Sequence, residues 1–206
     1  MEKLFVYLVI IISAVFHEYA HGWAAFRLGD TTAKDAGRLT LNPFAHIDLW
    51  GTVLIPLFLL FTSGIFIGWA KPVPYNPYNL RDQRYGNLKV AFAGPGANLL
   101  IALVLGLLIR FSPLYVSSVG FTTPAFLQLL AFVVYVNIFL ALFNLIPFPP
   151  LDGSKVLGDL FPRFSYNLMQ NVGFFGVFAA LILAFFILPP LANFVFFVIT
   201  GHGFGV

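Results

Sequence analysis

Cysteine is absent from the chain, so it can form neither a disulfide nor a thiolate metal site, and the redox compartment leaves no mark on it. Charge is scarce. Asp, Glu, Lys and Arg make up 9% of the residues, against roughly 25% in soluble domains, and that shortage excludes an ordinary water-soluble protein. Glutamate occurs only as Glu2 and Glu18; the remaining acids are Asp30, Asp35, Asp48, Asp82, Asp152 and Asp159. There is no internal repeat, low-complexity tract or domain linker, and no soluble domain of ordinary size fits beside the apolar runs. The basic excess, +3 with a pI near 9.3, is scattered through short loops. It speaks against nucleic acid as a partner and for orientation in a bilayer.

What is present in quantity is apolar surface: 60% hydrophobic residues and a mean hydropathy of +0.91. The expected fold is an all-α polytopic membrane protein, residues 1–206 forming one membrane-embedded domain. Four runs read as transmembrane helices: Leu4–Leu28, Leu88–Phe111, Pro124–Ile146 and Phe164–Leu188. At 1.5 Å per residue each spans a ~30 Å hydrocarbon core. The first run begins like a signal peptide, but cleavage would discard the motif it carries, so it is read as a retained span. Gly37–Pro43 alternates like a short strand closed by an Asn-Pro turn, a small β-like loop after the first span. A short amphipathic helix is expected near Ser154–Phe161, and a short hydrophobic segment after Pro189-Pro190.

The second half of the first run contains His17-Glu18-Tyr19-Ala20-His21. Residues four apart share a helix face, so the two imidazoles can reach one ion, with Glu18 rotated off that face. This is the His-Glu-x-x-His pattern of two zinc ligands and a general base. A chance match is a poor alternative, because a carboxylate at mid-bilayer costs about 2.5–3.5 kcal/mol on insertion scales. A catalytic zinc takes a third protein ligand. Glu2 lies at the terminus, which disfavours a His-His-Glu set and leaves an Asp, His46 or His202. Asp152 stands out because it follows a Pro-rich break at the end of an apolar span, where non-helical backbone must line a polar cavity. Its plainer role is an N-cap for the following helix. His46 sits in a polar loop, where a solvated histidine is the commoner finding, and His202 in a loose tail.

His17-Glu18-x-x-His21, Gly94-Pro95-Gly96-Ala97-Asn98 and Asn144-x-x-Pro147-x-Pro149-x-Leu151-Asp152-Gly153 occur in that order. Together they resemble the site-2 protease family, zinc metalloproteases that cut within the membrane. Gly37-Arg38-Leu39-Thr40-Leu41-Asn42-Pro43 and Gly68-Trp69-Ala70-Lys71-Pro72-Val73-Pro74 resemble its compact bacterial and archaeal branch, which lacks PDZ and CBS domains. The resemblance implies one zinc ion held by His17, His21 and Asp152, with Glu18 as the base. It also implies a substrate-facing role for Asn144, as a donor to an unwound substrate or to the oxyanion. For Asn98 such a role and interhelical bonding weigh equally. The expected partners are a single-span membrane protein substrate and the lipid bilayer. The rival within the family is an inactive metal-binding membrane chaperone, against which the intact Glu18 argues. A metal transporter would need ionisable groups on several spans, and only the first carries them at depth.

The metal site also constrains topology. His17 and His21 lie in the second half of their span and Asp152 just beyond the end of Pro124–Ile146, so these two spans must run the same way. Leu88–Phe111 supplies the one crossing between them. The apolar run Leu49–Ala70 is therefore expected to be a re-entrant hairpin turning near Thr62-Ser63-Gly64. Arg27, Lys34, Arg38, Lys71, Arg81, Arg84, Lys89, Lys155 and Arg163 then share one side, with Lys3 and Arg110 on the other. The positive-inside rule makes the first side cytoplasmic, so the expected location is the cell membrane with the active site opening toward the cytoplasm.

Overall fold

The computed structural model describes residues 2–62, 68–111, 124–172 and 175–204. All regular structure among them is helical. Among the described residues three helices are long and apolar enough to cross a membrane: Leu4–Arg27, Gly86–Arg110 and Ala125–Asn144. A fourth is reached if Ala180–Phe186 and Leu188–Thr200, bent by 52° at Ile187, count as one broken span. The chain divides into two compact units, residues 1–94 and 95–206.

In the first unit α1 (Glu2–Arg27) carries a stripe of buried residues at every fourth position: Val9, Ser13, His17, His21 and Ala25. Leu4, Leu8, Ile12 and Phe16 form an exposed apolar stripe, as suits a helix facing lipid on one side and protein on the other. The helix ends in a Schellman turn. Gly29 takes φ +108°, its N–H bonds Phe26 O at 3.0 Å, and Asp30 N–H reaches Ala25 O at 3.0 Å. One further helical turn, α2 (Thr32–Asp35), follows.

Gly37–Asn42 forms no strand. Thr40 Oγ1 accepts Asn42 N–H at 3.1 Å and Asn42 Oδ1 caps Phe44 N–H at 3.1 Å, opening a 3₁₀ turn, Pro43–His46. Local side-chain acceptors have taken the donors that the alternating pattern would have given to a ladder. Asp48 then caps a π-helical turn, Leu49–Leu54, that runs into α3 (Ile55–Thr62). Residues 63–67, where the hairpin turn is expected, lie outside the described residues. On the far side of that gap the chain is back beside its start: Trp69 N–H bonds Gly51 O at 2.9 Å and Thr52 Oγ1 donates to Trp69 O at 2.9 Å. Gly51 has no room for a side chain, since a Cβ there would sit 2.2 Å from the Trp69 ring.

Fully buried Asp30 organises the return segment. It accepts from Thr32 Oγ1 at 2.6 Å, from Asn76 N–H at 2.8 Å and from Asn79 Nδ2 at 2.9 Å. Burial pushes its carboxyl up, but these bonds outweigh burial and hold it below the usual aspartate value. α4 (Gly86–Arg110) starts where Asp82 Oδ1 accepts the Arg84 and Tyr85 N–H groups. The Lys89 ammonium, with these two bonds, holds the Asp82 carboxyl low.

The second unit holds the rest of α4 from Pro95, α5 (Pro124–Asn144), α6 (Asp152–Leu160), α7 (Pro162–Val172), α8 (Phe175–Phe186) and α9 (Leu188–Thr200). Its core is Ala102 and Ile109 of α4, Val134 and Ile138 of α5, and Ala192 and Phe196 of α9. The expected short helix after Asp152 is present as α6. Of the expected single span Phe164–Leu188, α7 and α8 are described, and residues 173–174 between them lie outside the described residues. α7 interleaves Arg163, Ser165, Asn167 and Gln170 with its apolar residues, and α8 carries no polar side chain.

Candidate metal centre

In the first unit His17 and His21 lie one turn apart on α1, buried to 6% and 7% exposure. Their Nε2 atoms are 3.0 Å apart and the ring planes stand at 84°. Two imidazole nitrogens at ~2.0–2.1 Å from a tetrahedral zinc would be roughly 3.3 Å apart, so the pair fits an ion with a small adjustment. His21 Nδ1 lies 2.7 Å from Val90 O. A carbonyl can only accept, so Nδ1 carries the proton and Nε2 presents its lone pair. Gly94 of α4 faces both rings: a Cβ there would fall 2.4 Å from His21 Nε2 and 2.6 Å from His17 Nε2. The absence of a side chain at 94 preserves the space in which these nitrogens converge.

Glu18 lies off the histidine face and is partly buried. Its Oε2 accepts the Val73 N–H at 2.8 Å. His46, expected to be solvated, is buried; its Nε2 lies 2.8 Å from Thr40 O, so it is part of the loop's own structure. His202 is exposed.

In the second unit Asp152 is the first residue of α6 and is buried, with Oδ1 3.1 Å from Lys155 Nζ. It is not the N-cap. Leu151 holds that place in extended conformation. Gly153 lets α6 start against the end of the preceding span: a Cβ there would meet Leu145 O at 2.2 Å. Asn144, the last residue of α5, donates from Nδ2 to Leu140 O at 3.0 Å. Asn98 donates to Asn137 Oδ1 at 2.8 Å, both buried, so it bonds α4 to α5 as the interhelical reading expects. Asn137 went unremarked in the sequence. Its signal was there: it lies seven residues before Asn144, on the same face of a helix whose other strongly polar residue is Gln128.

Comparison with known proteins matches residues 111–188 to the profile of peptidase family M50. This stretch includes Asp152 but not the histidine helix. "Putative zinc metalloprotease YwhC" of Bacillus subtilis is 35% identical over 98% of this chain and 89% of its own length. The chain belongs to peptidase family M50, the site-2 protease family. "Putative zinc metalloprotease Rip2" of Mycolicibacterium smegmatis is 30% identical over 71% of the chain, which spans 53% of that protein. "Putative zinc metalloprotease MJ0611" of Methanocaldococcus jannaschii is 29% identical over 75% of the chain and 72% of its own length. No solved structure matches. Those relatives are named for zinc, and the buried imidazole pair of this M50 member, with room kept open at Gly94, is chemically suited to that ion.

Proposed function

We propose that this chain is an intramembrane zinc metalloendopeptidase, one membrane-embedded domain that cleaves peptide bonds within or near the transmembrane segments of single-span proteins. The observation that carries the reading is the convergence of His17 Nε2 and His21 Nε2 opposite a side-chain-free Gly94. Asp152 is the proposed third ligand. Two imidazole nitrogens and one buried carboxylate make a donor set that suits zinc and leaves a position for reactants.

Bound zinc supplies Lewis acidity at the scissile carbonyl. The chain's residues do the rest. Val90 O keeps the proton on His21 Nδ1 and so leaves the Nε2 lone pair available as a metal ligand. Val73 N–H occupies Glu18 Oε2, leaving Oε1 to take a proton from the attacking water and return it to the leaving amine nitrogen. Asn144, at the C-terminal end of α5, is proposed to bind the unwound substrate backbone or the developing oxyanion. The substrate must unwind because a helix engages its carbonyls in its own hydrogen bonds.

The proposed setting is the cell membrane, with Leu49–Ala70 as a re-entrant hairpin and the active site opening toward the cytoplasm. The hydrogen bonds between Trp69 and Gly51–Thr52 support the hairpin, and the loop positives support the orientation. The enzymatic reading is tested with a panel of quenched single-span peptides, with and without chelator. Glu18→Gln should retain zinc and lose cleavage by at least ~100-fold, the usual range for a general base. Full activity in that variant would refute the base assignment.

A further inference from the structure

We propose that the main-chain N–H of Val73 is the orienting donor for Glu18, and that Asp30 is the positioning residue that holds Val73 in place. The inference rests on Glu18 as the base and adds how that carboxylate is aimed. Val73 lies between Pro72 and Pro74, neither of which has an N–H. Residues 72–74 thus offer a single main-chain donor, and it meets Glu18 Oε2 at 2.8 Å. Gly22, one turn after Glu18 on α1, makes the approach possible, since a Cβ there would lie 3.0 Å from Val73 Cγ1.

The segment around Val73 is strapped along the second half of α1. Before it, Lys71 N–H bonds His46 O at 3.0 Å and Arg38 Nη2 bonds Lys71 O at 2.8 Å. After it, Asp30 takes Asn76 N–H and Asn79 Nδ2, and Arg81 N–H bonds Leu28 O at 2.8 Å. Asp30 is itself fixed by the Schellman turn that ends α1. One helix therefore carries the base, and its own terminus carries the anchor for the base's hydrogen-bond partner. A carboxylate with one oxygen held by a fixed N–H keeps one orientation, and the other oxygen is aimed for proton transfer.

The chain has two glutamates, so infrared spectroscopy of [13C]Glu-labelled Glu2→Gln protein reads the Glu18 carboxylate alone. Val73→Pro removes the donor at a position that Pro74 already restricts to extended backbone. It should shift the Glu18 carboxylate band, and Asp30→Asn should shift it the same way by a smaller amount. The double variant should shift no further than Val73→Pro. On a quenched single-span peptide both single variants should lower kcat by ~10–100-fold, with KM within about twofold and zinc per chain unchanged. An unchanged band in Val73→Pro would overturn the contact, and a shifted band with unchanged kcat would overturn its positioning role. An unchanged band and kcat in Asp30→Asn would remove Asp30 from the account, and that variant also decides the matter should Val73→Pro fail to hold zinc. Activity in Glu18→Gln would instead refute the base, while the band would still report the Val73 contact.

Discussion

A methyl group is enough to test how tightly the histidine pair is enclosed. Gly94→Ala would put a carbon 2.4 Å from one Nε2 and 2.6 Å from the other, closer than any unstrained contact. His21 cannot turn aside without losing its bond to Val90 O. The variant is expected to bind zinc ~10–100-fold more weakly, as when a metal site loses its supporting geometry, measured by competition with a fluorescent chelator. Unchanged affinity would show that the space at Gly94 does not serve the ion. At this scale the sequence pointed to the side chains proposed for the chemistry: His17, Glu18 and His21 by their spacing. It did not reveal Val73, because a main-chain donor has no side-chain signature. Nor did it decide between roles for Asn98, because the partner, Asn137, lies on another helix.

Among the elements, α1, α4 and α5 were legible because each is an unbroken apolar run longer than a bilayer core is thick. The stretch 164–188 was legible as helix in α7 and α8, with residues 173–174 between them outside the described residues. The strand expected at Gly37–Asn42 failed because Thr40 and Asn42 satisfy the local backbone themselves. The hairpin is the element on which topology turns, and the missing cysteines make it directly testable. Single cysteines at positions 34 and 78 should both be protected from an impermeant external reagent, and one at position 118 should react. Labelling at 78 but not at 34 would mean that Leu49–Ala70 crosses the membrane once, and the proposed parallel run of α1 and α5 would be lost.

For the molecule as a whole, the proposed centre takes ligands from segments far apart in the chain, two on α1 and one at the start of α6. Motif order in the sequence pointed to that set, since the Leu-Asp-Gly break follows an apolar span; the structure buries Asp152 and places Leu151 at the N-cap. What the sequence could not supply is the support: the Asp30 network and the Gly94 space, which arise only when distant segments fold together. The most direct test is the zinc content of detergent-purified protein, measured by mass spectrometry for the wild type, His21→Ala and Asp152→Ala. The account predicts near-stoichiometric zinc in the wild type and a large loss in both variants, each of which leaves two of three ligands. Wild-type zinc content in Asp152→Ala would contradict it.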